Sequence, residues 1–237
     1  MFSGEAIIKA IILSCGNLLP HVRAAKKKCG VDLPVICLNM NLHATPKKMR
    51  QAVITAMEKR IPKAYDTVLV AQGYCGGVWE DLTFDRKVVI PRVDDCVSLA
   101  LQTTDHYKPD LKTKGHYYLF NILSGLFSPK KLFKKFSQQY GEAKTQEIFD
   151  DWFKDYPYLD VVVSDGEDLS NPKYQREIAD SSKLIKADVE FVPGSNLLIE
   201  KLITGRWDEQ FIVKEPGERI SMSDFFDQNW LDFQESK

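Results

Sequence analysis

At 237 residues, with 44% hydrophobic and 27% charged side chains, the chain is long enough to bury a substantial core and far from disordered or collagen-like composition. Its 32 basic and 33 acidic residues nearly cancel. That balance excludes a global field drawing the protein to nucleic acid or to an anionic membrane, so a charged ligand must be met locally and a small-molecule substrate is the expectation.

The first apolar run, at 6–13, is interrupted by Lys9 and is too short to span a bilayer. Neither a basic leader nor a small-residue cleavage site accompanies it, so a cytoplasmic protein is expected. Five cysteines is an odd count with no dense disulfide framework, which points to reduced or metal-bound thiols.

Runs rich in Val, Ile and Leu recur at 6–14, 33–40, 67–72, 87–91, 116–121, 159–164, 189–192 and 211–213. Most are followed by Gly, Pro or Asp and then by a helical pattern. Several are apolar almost throughout rather than alternating, which suits strands buried on both faces of a parallel sheet. The clearest helix is 46–60: Thr45 can cap it, Pro46 suits its first turn, and Met49, Ala52, Val53 and Ala56 form one apolar stripe. A second helix is expected from near Asp95 to about Tyr107. Residues 129–156 read as two amphipathic helices broken near Gly141, with Phe133, Phe136, Tyr140, Ile148, Trp152 and Phe153 facing the core. Stretches 172–185 and 196–204 add two more, and 225–233 is either a docked helix or a frayed tail. The fold class is therefore α/β, with mostly parallel sheets in Rossmann-like three-layer lobes. One continuous unit over 1–237 is expected, with sub-lobes 1–127 and 157–220 around a helical insertion at 128–156.

In an open parallel sheet, ligands bind beyond the carboxyl ends of the strands. There the sequence places Cys15-Gly16 after the first strand and Asn39 with Leu42-His43 after the second. The third strand leads to Gly73-Tyr74-Cys75-Gly76-Gly77, and the fourth to Arg92 and Asp94-Asp95-Cys96. Three thiolates on one edge suit zinc, iron or an iron–sulfur cluster, because sulfur is soft and three ligands leave a fourth metal position open for chemistry. Gly16, Gly73 and Gly76 would let backbone approach such a cofactor. With no CxxC pair, the same cysteines also read as ordinary buried thiols. Cys29 and Cys37 read as structural. His43 suits a ligand or general acid–base role, or a solvated loop position; Arg92 suits a catalytic anion clamp, or a salt bridge to Asp94 or Asp95. The glycine-rich turn at 73–77 matches neither GxGxxG nor a P-loop. The basic run Lys130, Lys131, Lys134 and Lys135 reads as a solvated helix face.

These segments, together with Gly115, Tyr117-Tyr118, Tyr140-Gly141, Asp165, Tyr174 with Arg176, the stretch 197–207 and Pro216-Gly217, resemble the domain of unknown function 1638 family over nearly the whole chain. Cys15, His43, Cys75, Arg92 and Cys96 match its pattern. The resemblance implies a setting in anaerobic archaea and bacteria, often beside corrinoid-dependent methyltransferases acting on methylated one-carbon donors. It thus implies a corrinoid protein or methyltransferase as partner. No Asp-x-His-x-x-Gly segment occurs, so the chain does not itself read as a base-off corrinoid carrier. The leading expectation is an iron–sulfur or metal protein, with zinc as second choice, whose centre is held by Cys15, Cys75 and Cys96. The alternatives are an accessory module for a methyltransferase system and an enzyme with a cysteine nucleophile and no metal.

Overall fold

The computed structural model describes residues 9–121, 127–164, 169–227 and 230, apart from the side chains of His43 and Ala44. Positions 6–8 of the first apolar run, Asp165, and most of the expected tail helix lie outside the described residues. In chain order the strands and α-helices are β1 (Ala10–Cys15), α1 (Leu19–Cys29), β2 (Val35–Leu38), α2 (Pro46–Thr55), β3 (Thr67–Ala71), β4 (Lys87–Pro91), α3 (Cys96–Leu101), β5 (His116–Leu119), α4 (Pro129–Tyr140), α5 (Glu142–Trp152), β6 (Tyr158–Val163), α6 (Pro172–Ile185), β7 (Asp188–Pro193), α7 (Leu197–Ile203), β8 (Phe211–Lys214) and α8 (Met222–Phe225).

The protein is α/β with mostly parallel pairing, as the apolar runs require. The chain divides into two compact units, 1–99 with 104–110 and 197–237, and 100–103 with 111–196. This moves the expected boundaries: residues 197–220 belong with the N-terminal strands, because β8 joins the first sheet as an antiparallel edge against β4. The helices expected as an insertion at 128–156 are the packing layer of the second unit.

The first unit is built on a five-stranded sheet ordered β2-β1-β3-β4-β8, in which β1 pairs in parallel with both β2 and β3, and β3 with β4. One face carries Ile11, Leu13, Val68, Val70, Val88 and Ile90, and packs with Met49, Val53 and Ala56 in one buried cluster. The expected helix over 46–60 forms, though its last turn, Ala56–Arg60, is a π turn. Thr45 holds the cap position without a side-chain capping bond, so Pro46 at the first turn carries the start. The helix expected to reach Tyr107 stops at Leu101. Its start is fixed by Asp95, whose carboxylate accepts from the Val97 and Ser98 amides at 2.9 and 2.8 Å. At the C-terminal end, a capping box between Ser221 and Asp224 starts the short α8, and Phe225 and Phe226 are buried in the same cluster.

The second unit has a three-stranded parallel sheet, β5-β6-β7. Leu119, Leu159 and Val161 face a cluster completed by Phe149, Phe153, Ile178 and Ile185 from α5, α6 and the turn after α5. Phe133 and Phe136 pack on it from α4, while Tyr140 and Trp152 are about half exposed rather than core-facing. Tyr140 stacks on Phe136 instead, and Trp152 meets the same ring edge-on.

Lys201 of α7 is only 2% exposed and binds Asp105 at 2.8 Å, Asp208, and the Gln210 side-chain oxygen at 2.6 Å. Burial pulls its pKa down, but the bonds to the two carboxylates outweigh this and leave it raised. Gln210 in turn donates to the carbonyls of Thr104 and His106, so one buried ammonium ties α7, the 104–110 segment and the entry to β8 together. Replacing Lys201 by Met leaves Asp105 and Asp208 free to resolvate, because both are substantially exposed. The remaining cost falls on the buried Gln210 oxygen, about 1–3 kcal/mol for an unsatisfied acceptor. Urea unfolding of Lys201→Met should show a loss in that range, well below the cost of stranding a buried charge.

Candidate functional site

The ends of β1, β3 and β4 converge because their parallel register continues beyond the strands. The Tyr74 amide donates to the Val93 carbonyl at 2.9 Å and the Cys75 amide to the Asp94 carbonyl at 2.7 Å. A Cβ on Gly73 would sit 2.8 Å from the Val93 carbonyl oxygen and 2.9 Å from the Asp95 backbone, so only glycine allows these two loops to touch. Gly16 has the same part between β1 and β2, where a Cβ would lie 2.9 Å from the Leu38 oxygen. The space beside these two α-carbons is thus filled by neighbouring backbone rather than open to a cofactor, which corrects the role expected of Gly16 and Gly73. Gly76, at φ 70°, has only Pro46 nearby, at 3.5 Å.

The cysteines ride on this scaffold. Cys15 closes β1, is fully buried, and its sulfur accepts from the Asn17 amide at 3.4 Å. Cys75 is half-buried and lies in the left-handed region at φ 49°, a conformation costing a non-glycine residue on the order of 1–2 kcal/mol. Cys96 is the first residue of α3 and is 4% exposed. Cys96 has both Cys15 and Cys75 for neighbours, close enough for their thiols to act on its own through hydrogen bonding. Those interactions, followed by burial, push its pKa well above the usual thiol value. Cys29 and Cys37 are half-buried and outside this group; burial also raises Cys37, with Cys15 adding to it. All five cysteines are free thiols.

Sequence reasoning missed the residues that hold the Cys75 turn in place. Trp79 is fully buried and donates its indole N–H to the Gly73 carbonyl at 3.1 Å. Arg50 of α2 reaches the carbonyls of Val78 and Glu80. The Tyr74 hydroxyl donates to Glu80 at 3.1 Å and its ring packs on Phe225 and Phe226; burial, with Glu80 beside it, pushes its pKa up to about 12. Gln72 was missed as well. It is fully buried at the end of β3, and among the described residues neither atom of its amide has a hydrogen-bond partner. Extending the β1–β3 register by one residue sets Gln72 beside Cys15. Its only sequence signal is a polar residue closing an apolar run.

His43 falls in the 3-10 turn Met40–Ala44, and its side chain lies outside the described residues. Arg92 is engaged by the protein itself. Its Nε donates to the Asp224 carbonyl at 2.8 Å, Nη1 donates to the Glu209 carbonyl at 3.0 Å, and its guanidinium lies 4.0 Å from the centre of the Tyr107 ring. The guanidinium fork expected to clamp an anion therefore joins the 209–210 and 224 segments.

Fold and site together define an α/β protein with three free thiols gathered where parallel strands end. Residues 37–203 match the family described as protein of unknown function (DUF1638), and the chain belongs to that family. The matched stretch includes Cys75, Cys96 and Arg92, while Cys15 precedes it. No curated protein and no solved structure matches the chain.

Replacing Arg92 by Lys keeps the charge but loses the fork and the ring contact. We expect thermal and urea unfolding to show a loss of about 1–3 kcal/mol, in the range for a buried hydrogen-bonding group left unpaired. A stable Arg92→Lys variant with impaired ligand binding would restore the anion-clamp role.

Proposed function

We propose that the chain holds an iron–sulfur cluster, or a single soft metal ion with zinc as the second choice, on the thiolates of Cys15, Cys75 and Cys96, and acts there on a small molecule. What supports this reading is that Cys15 ends β1, Cys75 follows β3 and Cys96 follows β4, with both other thiols near enough to Cys96 to raise its pKa. A disulfide would use two cysteines, whereas sheet pairing brings three to one edge. A soft cation can take all three as thiolates. Three protein ligands leave one position for substrate, where a closed structural site would use four.

The surroundings fit such a centre. The unpartnered Gln72 amide beside Cys15 supplies a buried donor and acceptor, and leaving both unused is costly unless a ligand meets them. Half-buried Cys75 gives the approach from solvent, and its left-handed backbone is strain of the kind found at functional sites. Bound metal would supply Lewis-acid or redox chemistry. The chain's own residues would provide three thiolates, the Gln72 amide and a Cys75 turn held by Trp79 and Arg50.

A metal-free cysteine nucleophile is the weaker reading, because burial and the neighbouring thiols keep Cys96 protonated and a thiol is a poor nucleophile. From the family resemblance the proposal extends to a cytoplasmic setting in anaerobic one-carbon metabolism, with a corrinoid protein or methyltransferase as partner.

Anaerobic reconstitution with iron and sulfide should give a brown protein, and serine at any one of Cys15, Cys75 or Cys96 should prevent it. Serine at Cys29 or Cys37 should not. Protein purified in air should be colourless yet folded by circular dichroism, since an open cluster is exposed to oxidants. The proposal fails if wild-type protein stays metal-free with both iron and zinc while Cys75 alone reacts with an alkylating agent.

A further inference from the structure

The second unit holds another donor set that the cysteine reading does not use. His116 on β5, Asp160 on β6 and Glu190 on β7 offer ligand atoms that all lie within 4.8 Å of one another. Register explains the meeting. Tyr118 pairs with Asp160 and Asp160 with Glu190, while His116 lies two residues before Tyr118 and so shares its face. This face is opposite the one carrying Leu119, Leu159 and Val161, which packs on the helices.

The arrangement is costly without a cation. Asp160 and Glu190 are directly opposed on neighbouring strands, where like charges destabilise a sheet. Asp160 is only 3% exposed, and no lysine or arginine pairs with either carboxylate among the described residues. The one partner Asp160 has there is the Nδ1 of His116, at 2.9 Å. The His116 ring is itself held nearly parallel to Tyr158, with centroids 4.7 Å apart, so its position is set before any ligand arrives.

We propose that His116, Asp160 and Glu190 form a binding site for a divalent first-row metal ion. One imidazole nitrogen and two carboxylate oxygens make a borderline-to-hard set, suited to zinc, manganese or ferrous iron and ill suited to a soft cluster. In the free protein His116 Nδ1 faces Asp160, and a cation bound there would take the Nδ1 lone pair while the ring carries its proton on Nε2. Exposed Glu190 completes the set from the solvent side and leaves room for water ligands.

Cobalt(II) titration tests this separately from the cysteine site, because thiolate ligands add strong sulfur-to-metal charge-transfer absorbance that nitrogen and oxygen ligands lack. Wild-type protein should show a component with ligand-field bands alone, retained in Cys96→Ser. Because Glu190 is exposed, Glu190→Gln should fold normally by circular dichroism and weaken that component by about tenfold or more, given that even outer-shell partners are worth 10–100-fold in metal affinity. His116→Gln should do the same. The proposal is overturned if no such component exists in wild-type protein, or if Glu190→Gln binds as the wild type does. Neither result bears on whether Cys15, Cys75 and Cys96 bind metal.

Discussion

The site in the first unit depends on one constraint: the loops after β3 and β4 run in contact, with nothing at Gly73 to hold them apart. The bonds from Tyr74 to Val93 and from Cys75 to Asp94 carry the parallel ladder past its strands. A side chain at Gly73 would meet backbone at 2.8 to 2.9 Å, and backbone cannot turn away as a flexible side chain can. From that contact follow the positions of Cys75 and Cys96, one on each loop. Cys15 arrives by a shorter route, since β1 lies next to β3 and its last residue is reached by continuing the same register. Three cysteines distant in sequence are thus brought to one sheet edge by strand pairing.

Once gathered, the thiols alter one another. Each thiolate formed would place negative charge beside its neighbours in a dry environment, so the first effect of convergence is to keep Cys96 protonated. A protonated thiol is a poor nucleophile, and on the proposed reading a cation would replace the protons and supply the charge that three thiolates need. The turn bearing Cys75 is held by its neighbours. The Trp79 indole, the Arg50 guanidinium and the Tyr74 ring fix it from three sides, which offsets the strain of a non-glycine residue at positive φ.

Much of this was legible in the amino-acid sequence because parallel strands announce themselves as continuous apolar runs. The edge where ligands bind follows from strand direction without knowing strand order. That reasoning placed Cys15, Cys75 and Cys96 at one edge. It did not give the division of the chain, because β8 returns to the first sheet as an antiparallel edge, and a three-residue apolar run carries no sign of which sheet it will join. Arg92 was misread because its partners are backbone carbonyls of Glu209 and Asp224, more than a hundred residues away and invisible to side-chain patterning. Gly16 and Gly73 were read as room for a ligand when their want of a side chain serves loop against loop. Tyr140 and Trp152 satisfied helical periodicity yet lie outward, since Phe133, Phe136, Phe149 and Phe153 already fill the core they would have entered.

The two donor sets differ in the property that sorts metals. Affinity alone cannot separate first-row ions, because most sites rank them in the same order, so selectivity must come from ligand softness and geometry. Three sulfurs favour soft or cluster-forming iron and zinc, whereas an imidazole with two carboxylates accepts zinc, manganese or ferrous iron and offers nothing to a sulfide-bridged cluster. The sets also differ in what a vacant site costs. Cys96 is held in its protonated form, while Asp160 and Glu190 stand opposite one another on neighbouring strands with no lysine or arginine paired to either among the described residues. By that argument the demand for a cation in the free protein is greater at the carboxylate pair on the second sheet than at the cysteines on the first.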